Sequence, residues 1–276
     1  MALLIWRGLQ LSRCTAGSCV TPRIVTPEIL DGLPNDDPSA AKSRQDLRRV
    51  HRVMGTRGIV ARALRSSQLF RRRSGARIKI LEIGAGDGYF MLGVAGSLVD
   101  RWRDVDLTLL DRIDLVETST MASYRTLGWR IASVVQDALA WAAEPCSLRK
   151  DRSSPTWDLI IANLFLHHFQ GAQLAALLTA IETRGDYFFA CEPHRSAMAR
   201  AGSHFVGALG ANAITRADAV SSVRAGFSRS ELSAIWPGAS QRWALREYAA
   251  GLFSHCFSAE RITQSSTAKE RHAASL

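Results

Sequence analysis

After Lys79 the chain changes character. Short apolar runs alternate with longer stretches of helical periodicity, and this alternation restricts the fold more than any other feature. Strands are expected at Ile80 to Ile83, Leu107 to Leu110, Ile131 to Val135, Leu159 to Ala162 and Tyr187 to Cys191, with helices in the gaps. Short apolar strands joined through helices build a parallel sheet from βαβ units. The last part, RWALREYAAGLFSHCFSAE, reads as two strands joined around Gly251, so an antiparallel hairpin closes the α/β sheet. A chain of 276 residues has room for one such domain with a full core and an accessory segment.

The first strand runs into a glycine-rich turn, ILEIGAGDGYF, Ile80 to Phe90. Turns of this kind usually hold phosphate, because backbone N–H groups and a helix N-terminus both favour an anion. This one carries Glu82 and Asp87, which repel an anion. A dinucleotide fingerprint needs G-x-G-x-x-G, whereas Gly84, Gly86 and Gly88 give G-x-G-x-G, and no Lys-Ser or Lys-Thr follows to make a Walker loop. A ligand with a cationic centre and an adenosine but no phosphate, S-adenosylmethionine, fits better. Carboxylates suit its ammonium group and ribose hydroxyls, and glycines let the backbone pass close to it. Two more acids follow at matching places: Asp111 ends LTLLD on the second strand, and Asp137 follows ASVVQ on the third. In an open parallel sheet these strand ends converge on one crevice. For each acid taken singly, the competing reading is a surface strand-end residue or a helix cap.

E-x-G-x-G-x-G at Glu82 to Gly88, an acid ending the second strand and an acid after the third resemble the class I S-adenosylmethionine-dependent methyltransferases, over about Ala76 to Glu260. The resemblance implies a Rossmann-like seven-stranded sheet in the order 3-2-1-4-5-7-6, with strand 7 antiparallel and helices on both faces. It also implies S-adenosyl-L-methionine as cofactor, with Glu82, Gly84, Ala85, Gly86, Asp87 and Gly88 around it. Asp111 would meet the ribose hydroxyls and Asp137 the adenine amine, with Ala138 beside it and Asn163 at the end of the fourth strand.

The segment DLIIANLFLHHFQGAQL is where such enzymes present groups to the acceptor. Methylases of exocyclic base amines carry an Asn/Asp-Pro-Pro-aromatic loop there, and Asn163-Leu164-Phe165-Leu166 does not match it. His167 and His168 suit oxygen chemistry instead: a phenol is only about one part in a thousand ionised at neutral pH, so either ring is a candidate general base. The competing expectation is that one ring packs or caps. Glu192, His194 and Arg195 in CEPHRS are expected near the same crevice, to orient an acceptor or to close the strand end. The Asp, Asp, Asn set of metal-dependent catechol enzymes is absent, so no metal is expected. The long connection from Ser196 to Phe227, with the N-terminal helices, is expected to form an acceptor-side lid. NAITRADAVSSVRAGF followed by GLFSHCF resembles methyltransferases of bacterial polyketide-type biosynthesis, which implies secondary metabolism and a small aromatic or polyketide-like hydroxyl as acceptor. Two alternatives stay open: an RNA or protein methyltransferase docking through the Arg-rich region Arg44 to Arg77, and a non-catalytic cofactor-binding partner subunit.

Before the sheet, residues 1–25 are expected as a tail, 26–75 as a helical cap, 76–260 as the cofactor-binding domain and 261–276 as a disordered tail. A helix is expected to start at Ser43, where S-x-x-D with Asp46 makes a capping-box pattern, and to break at Gly55 and Gly58. Thr215 and Asp218 repeat that pattern. The net charge of +10 comes from 31 Arg and only 4 Lys, an imbalance that reflects coding bias more readily than a phosphate-binding surface. Nucleic acid is therefore not the favoured partner. Five cysteines without a C-x-x-C pair fit a reducing compartment, and the cytoplasm is the expected location. The apolar N-terminal run is interrupted by Arg7, and no stretch reaches the roughly 18 apolar residues needed to span a bilayer.

Overall fold

The computed structural model describes residues 21–69, 77–145 and 157–262. Seven strands form one sheet: β1 (Ile78–Ile83), β2 (Val105–Asp111), β3 (Trp129–Val135), β4 (Leu159–Asn163), β5 (Tyr187–Pro193), β6 (Trp243–Ala250) and β7 (Ser254–Arg261). Their order is 3-2-1-4-5-7-6. Strands β1 to β5 are parallel, and β7 runs antiparallel to both β5 and β6. The sheet expected from the apolar runs and the Gly251 hairpin is the sheet observed.

The central strands are apolar on both faces because helices cover both faces. Successive side chains point to opposite sides. Ile80, Leu107, Leu109, Ile161 and Phe189 join one core, while Leu81, Ile83, Ile160, Ala162 and Phe188 join the other. Helices α1 (Pro38–Met54), α2 (Thr56–Ser66) and α3 (Tyr89–Ala95) precede or follow β1. α4 (Thr118–Thr126) and α5 (Ala138–Ala143) link the next strands, and α6 (Gly171–Arg184) links β4 to β5. Between β5 and β6 lie α7 (Ala197–His204), α8 (Ala213–Ala225) and α9 (Glu231–Ile235). No helix among the described residues is long and apolar enough to cross a membrane.

Four expectations need correction. Helix α1 begins at Pro38 with Asp37 as its N-cap, accepting from Ser39 N–H, not at Ser43. Ser43 and Asp46 are buried inside the helix and reach α8: Asp46 Oδ2 accepts the Asn212 N–H at 2.9 Å, and the Ser43 hydroxyl meets the Asn212 amide. The α8 cap is likewise Asn212, which accepts from Thr215 N–H, so Thr215 and Asp218 are interior positions. Gly55 does end α1, in the left-handed conformation, but Gly58 lies inside α2 and interrupts nothing. Finally, residues 21–25 are tied to the fold, since Arg23 donates to the carbonyls of Ala225, His167 and Phe169. The remainder of both expected tails, and Arg71 to Arg73, lie outside the described residues.

Candidate active site

The C-terminal ends of β1 to β4 border a cavity of about 400 Å³, closed over by α1, α2 and the segment that precedes them. Its floor is the turn after β1. Gly84, Gly86 and Gly88 all have positive φ, at 71°, 55° and 70°, a conformation that an L side chain enters only with strain. A Cβ on Gly84 would overlap the Phe165 ring, and one on Gly88 would come within 2.7 Å of Leu109 Cδ1. A Cβ on Gly86 would meet nothing within 4 Å, because that position faces the cavity. Gly84 and Ala85 N–H groups both bond the Leu110 carbonyl, which fixes the turn against β2.

The expected acids converge on this turn. Asp111 Oδ2 accepts the Gly86 N–H at 2.8 Å and Oδ1 the Ile113 N–H at 3.1 Å. Asp87 accepts from Tyr89 N–H and pairs with Arg48 of α1 at 2.7 Å. Asp137 caps α5 through one oxygen, which accepts from Leu139 and Ala140 N–H, so the capping role and a place on the cavity wall coexist. Ala138 lines the wall beside it. Glu82 is 1% exposed, and burial, with the charges of Asp87 and Asp111 added, pushes its carboxyl well above the usual range. Two buried acceptor atoms on the lining, Glu82 Oε2 and Asn163 Oδ1, have no donor among the described residues. Buried polar atoms are ordinarily hydrogen-bonded, so orphans that border a cavity point to donors on a ligand. An ammonium and ribose hydroxyls fit these residues; a pyrophosphate does not.

On the β4 side the chain turns through Phe165 to His168. Leu164 takes φ +50°, unusual for a branched-chain residue, and Glu192 of β5 holds the strained turn. Its carboxylate is fully buried and accepts from the N–H groups of Phe165, Leu166 and His167 and from His167 Nδ1 at 2.9 Å. The other ring nitrogen of His167, Nε2, lies 3.3 Å from Glu28 Oε1, and Glu28 also accepts from the Ser222 hydroxyl. Burial alone would lower His167, but hydrogen bonds to Glu192 and Glu28 outweigh it and raise it to about 9. Both ring nitrogens of His167 are thus engaged by carboxylates. His168 stacks beside it, ring centroids 4.3 Å apart, with Nδ1 3.4 Å from Asp31. Burial and the neighbouring His167 charge lower His168 below the usual imidazole value.

Of the two expectations for Glu192, His194 and Arg195, to orient an acceptor or to close the strand end, their contacts favour the second, and none of the three lines the cavity. Glu192 is the peg under the histidine turn. Arg195 is buried and bonds Gly226 O, the Ser228 hydroxyl and the Glu231 carboxylate, while His194 stacks on His255. Sequence reasoning missed Glu28, Asp31 and Ser222, which lie far from the histidines in the chain and carry no local pattern. It also missed Arg57, a cavity-lining guanidinium over the Tyr89 ring with no carboxylate partner among the described residues.

No family model matches the sequence, and no curated protein matches it. Solved structures do. An O-methyltransferase family protein from Burkholderia thailandensis is 12% identical with a TM-score of 0.51, over 83% of this chain and 61% of that one. This chain thus spans about three fifths of that protein's length. Magnesium protoporphyrin IX methyltransferase from Synechocystis PCC 6803, with S-adenosylmethionine bound, is 11% identical with a TM-score of 0.45, over 85% of this chain and 88% of that one. The CurJ carbon methyltransferase is 14% identical with a TM-score of 0.42, over 70% and 51%. Strand order, the antiparallel seventh strand and the first of these likenesses agree: the chain has the fold of the class I S-adenosylmethionine-dependent methyltransferases.

Proposed function

We propose that the chain is an S-adenosylmethionine-dependent methyltransferase acting on a hydroxyl oxygen of a small, aromatic or polyketide-like acceptor. The observation that carries this reading is the pair of donor-less buried atoms, Glu82 Oε2 and Asn163 Oδ1, on a cavity rimmed by Asp87, Asp111 and Asp137. A ligand with ammonium and hydroxyl donors supplies what they lack. When bound, S-adenosylmethionine provides an electrophilic methyl group on a sulfonium sulfur. Asp111 serves its ribose, Asp137 and Ala138 its adenine, and the turn from Gly84 to Gly88 lets it lie against the backbone. The Arg57 guanidinium suits its carboxylate.

The acceptor belongs on the opposite wall, against His168 and the His167–Glu28 pair, which together bring charge to the oxygen that must lose its proton. Residues 76–260 supply the cofactor side. The segment before α1, helices α1 and α2, and Ser222 of α8 line the opposite side of the same cavity, which suits a small acceptor. Fixing both partners accounts for most of the acceleration, about 7–11 kcal/mol for well-oriented reactants.

Purified protein incubated with methyl-labelled cofactor and separate pools of phenolic metabolites, total RNA and cell protein tests the reading. Label should enter the phenolic pool, and His168→Asn should lower kcat by about 10²–10⁴ without changing cofactor affinity. Label in RNA or protein alone would contradict the acceptor class. Cofactor binding with no turnover on any pool would identify a non-catalytic partner instead.

A further inference from the structure

Glu28, His167 and His168 each turn one ligand atom toward a common point, and these atoms all lie within 4.8 Å of one another. We propose that this cluster is a binding site for a divalent transition-metal ion, held by one carboxylate and two imidazoles. The inference rests on the methyltransferase reading only for what the ion does, not for whether it binds.

Two imidazoles and a carboxylate form a recurrent donor set for zinc and for non-haem iron, with coordination positions left open for water or substrate. The surroundings are built to the same specification. A metal-ligating histidine usually gives its second ring nitrogen to a carboxylate, which fixes the ring and raises its basicity. Glu192 does this for His167: it is fully buried, meets Nδ1 at 2.9 Å and is itself locked by three backbone N–H groups. That leaves Nε2, which faces Glu28 Oε1 at 3.3 Å. Glu28 is oriented in turn by the Ser222 hydroxyl, and His168 by Asp31 at 3.4 Å. Every ligand thus has its own support from a different part of the chain: β5, α8 and the 21–36 segment. An ordinary structural ion pair needs neither the third ligand nor the supports.

The cluster borders the cavity at the acceptor wall, and all three ligands line it. The ion therefore acts as a Lewis acid on the acceptor oxygen. The hydroxyl gives its proton to the Asp31 carboxylate, and the freed electron pair on oxygen forms the bond to the methyl carbon. The bond from that carbon to sulfur breaks, its pair remaining on sulfur. The catalytic role of the histidine pair is then to hold the ion. This departs from the expectation of no metal, which considered only an Asp, Asp, Asn set.

Untagged protein, dialysed against a chelator and titrated with Zn²⁺ in competition with a chromophoric chelator, tests the site without cofactor or turnover. Co²⁺ absorption in parallel samples reports the ligand field. Wild type should take up one ion per chain. Glu28→Gln and His168→Ala should each weaken uptake at least tenfold, and Glu192→Gln by about 10–100-fold through orientation of His167. His204→Ala, an exposed position on α7 remote from the cluster, should change nothing. Because His167 is buried and its loss could unfold the turn, Glu28 and the partly exposed His168 carry the decision, with melting curves as the folding control. No stoichiometric uptake by wild type overturns the proposal, as does uptake that Glu28→Gln and His168→Ala leave unchanged. In that case His168, whose Nε2 has no protein partner among the described residues, is the base. Protein that binds cofactor but no ion overturns the metal site alone.

Discussion

Gly84, Gly86 and Gly88 share a left-handed backbone and lack side chains for different reasons. At Gly84 and Gly88 the missing Cβ makes way for Phe165 and Leu109, whereas at Gly86 it leaves the cavity open. Gly84→Ala should therefore lower the melting temperature through a clash with the Phe165 ring. Gly86→Ala should cost only the strain of its φ, about 1–2 kcal/mol, and should weaken S-adenosylhomocysteine binding at least tenfold. Thermal melts and calorimetry on the two variants separate the effects; unchanged affinity in Gly86→Ala would mean that the turn does not face the ligand. The motif was plain in the sequence, because a strand, an acid and three glycines are contiguous. Which glycine faces the cavity was not, because Leu109 comes from β2 and Phe165 from the turn after β4.

Among the elements, strands were legible and caps were not. A buried strand announces itself locally, by an apolar run between turn formers, and β1 to β5 were found within two residues at either end. A cap depends on where a short polar side chain turns. Ser43 and Asp46 have capping-box spacing, yet Asp46 bonds the Asn212 backbone 166 residues away, and Lys42 and Arg49 balance its charge. This buried carboxylate docks α1 on α8 and so holds the roof over the cavity. Asp46→Ala leaves the Asn212 N–H without its acceptor and should destabilise the fold by about 1.5–3 kcal/mol in denaturant unfolding. Cofactor affinity should fall with it; a change within about 0.5 kcal/mol would show that the roof is held elsewhere.

Across the whole molecule, several of the arginines have structural partners. Arg130 pairs with Asp104 and Asp106, Arg184 is buried and donates to the carbonyls of Trp141 and Glu144, and Arg195 pairs with Glu231. The acid dependence of stability should come from carboxylates such as Glu247 of β6. Its side chain, 2% exposed, accepts from the first-turn N–H groups of α9, Leu232 and Ser233, and from His255 Nε2. Burial would raise this carboxyl, but the bonds from His255 and the Ser233 and Leu232 N–H groups outweigh it and hold it below its usual value. A depressed carboxyl stabilises the fold above its unfolded pKa of about 4.5, and that stability is lost as pH falls through the folded value. Glu247→Gln should lower the melting temperature at pH 7 and flatten its decline below about pH 4.5; an equally steep decline would assign the acid lability elsewhere. The strands could be read from the sequence because each is a contiguous apolar run, whereas their order in the sheet followed from the family resemblance. The acceptor wall could not, since Glu28 reaches His167 across 139 residues and Asp31 sits in a stretch that reads only as loop.

The central claim is that the acid-rimmed cavity binds S-adenosylmethionine, and calorimetric titration of S-adenosylhomocysteine into wild type and Asp111→Ala tests it most directly. Wild type should bind one equivalent. Asp111→Ala should lose about 1.5–3 kcal/mol, because its carboxylate holds the Gly86 N–H and, in the function proposed above, serves the ribose hydroxyls. No binding to wild type, or equal affinity in the variant, would contradict the assignment of this cavity.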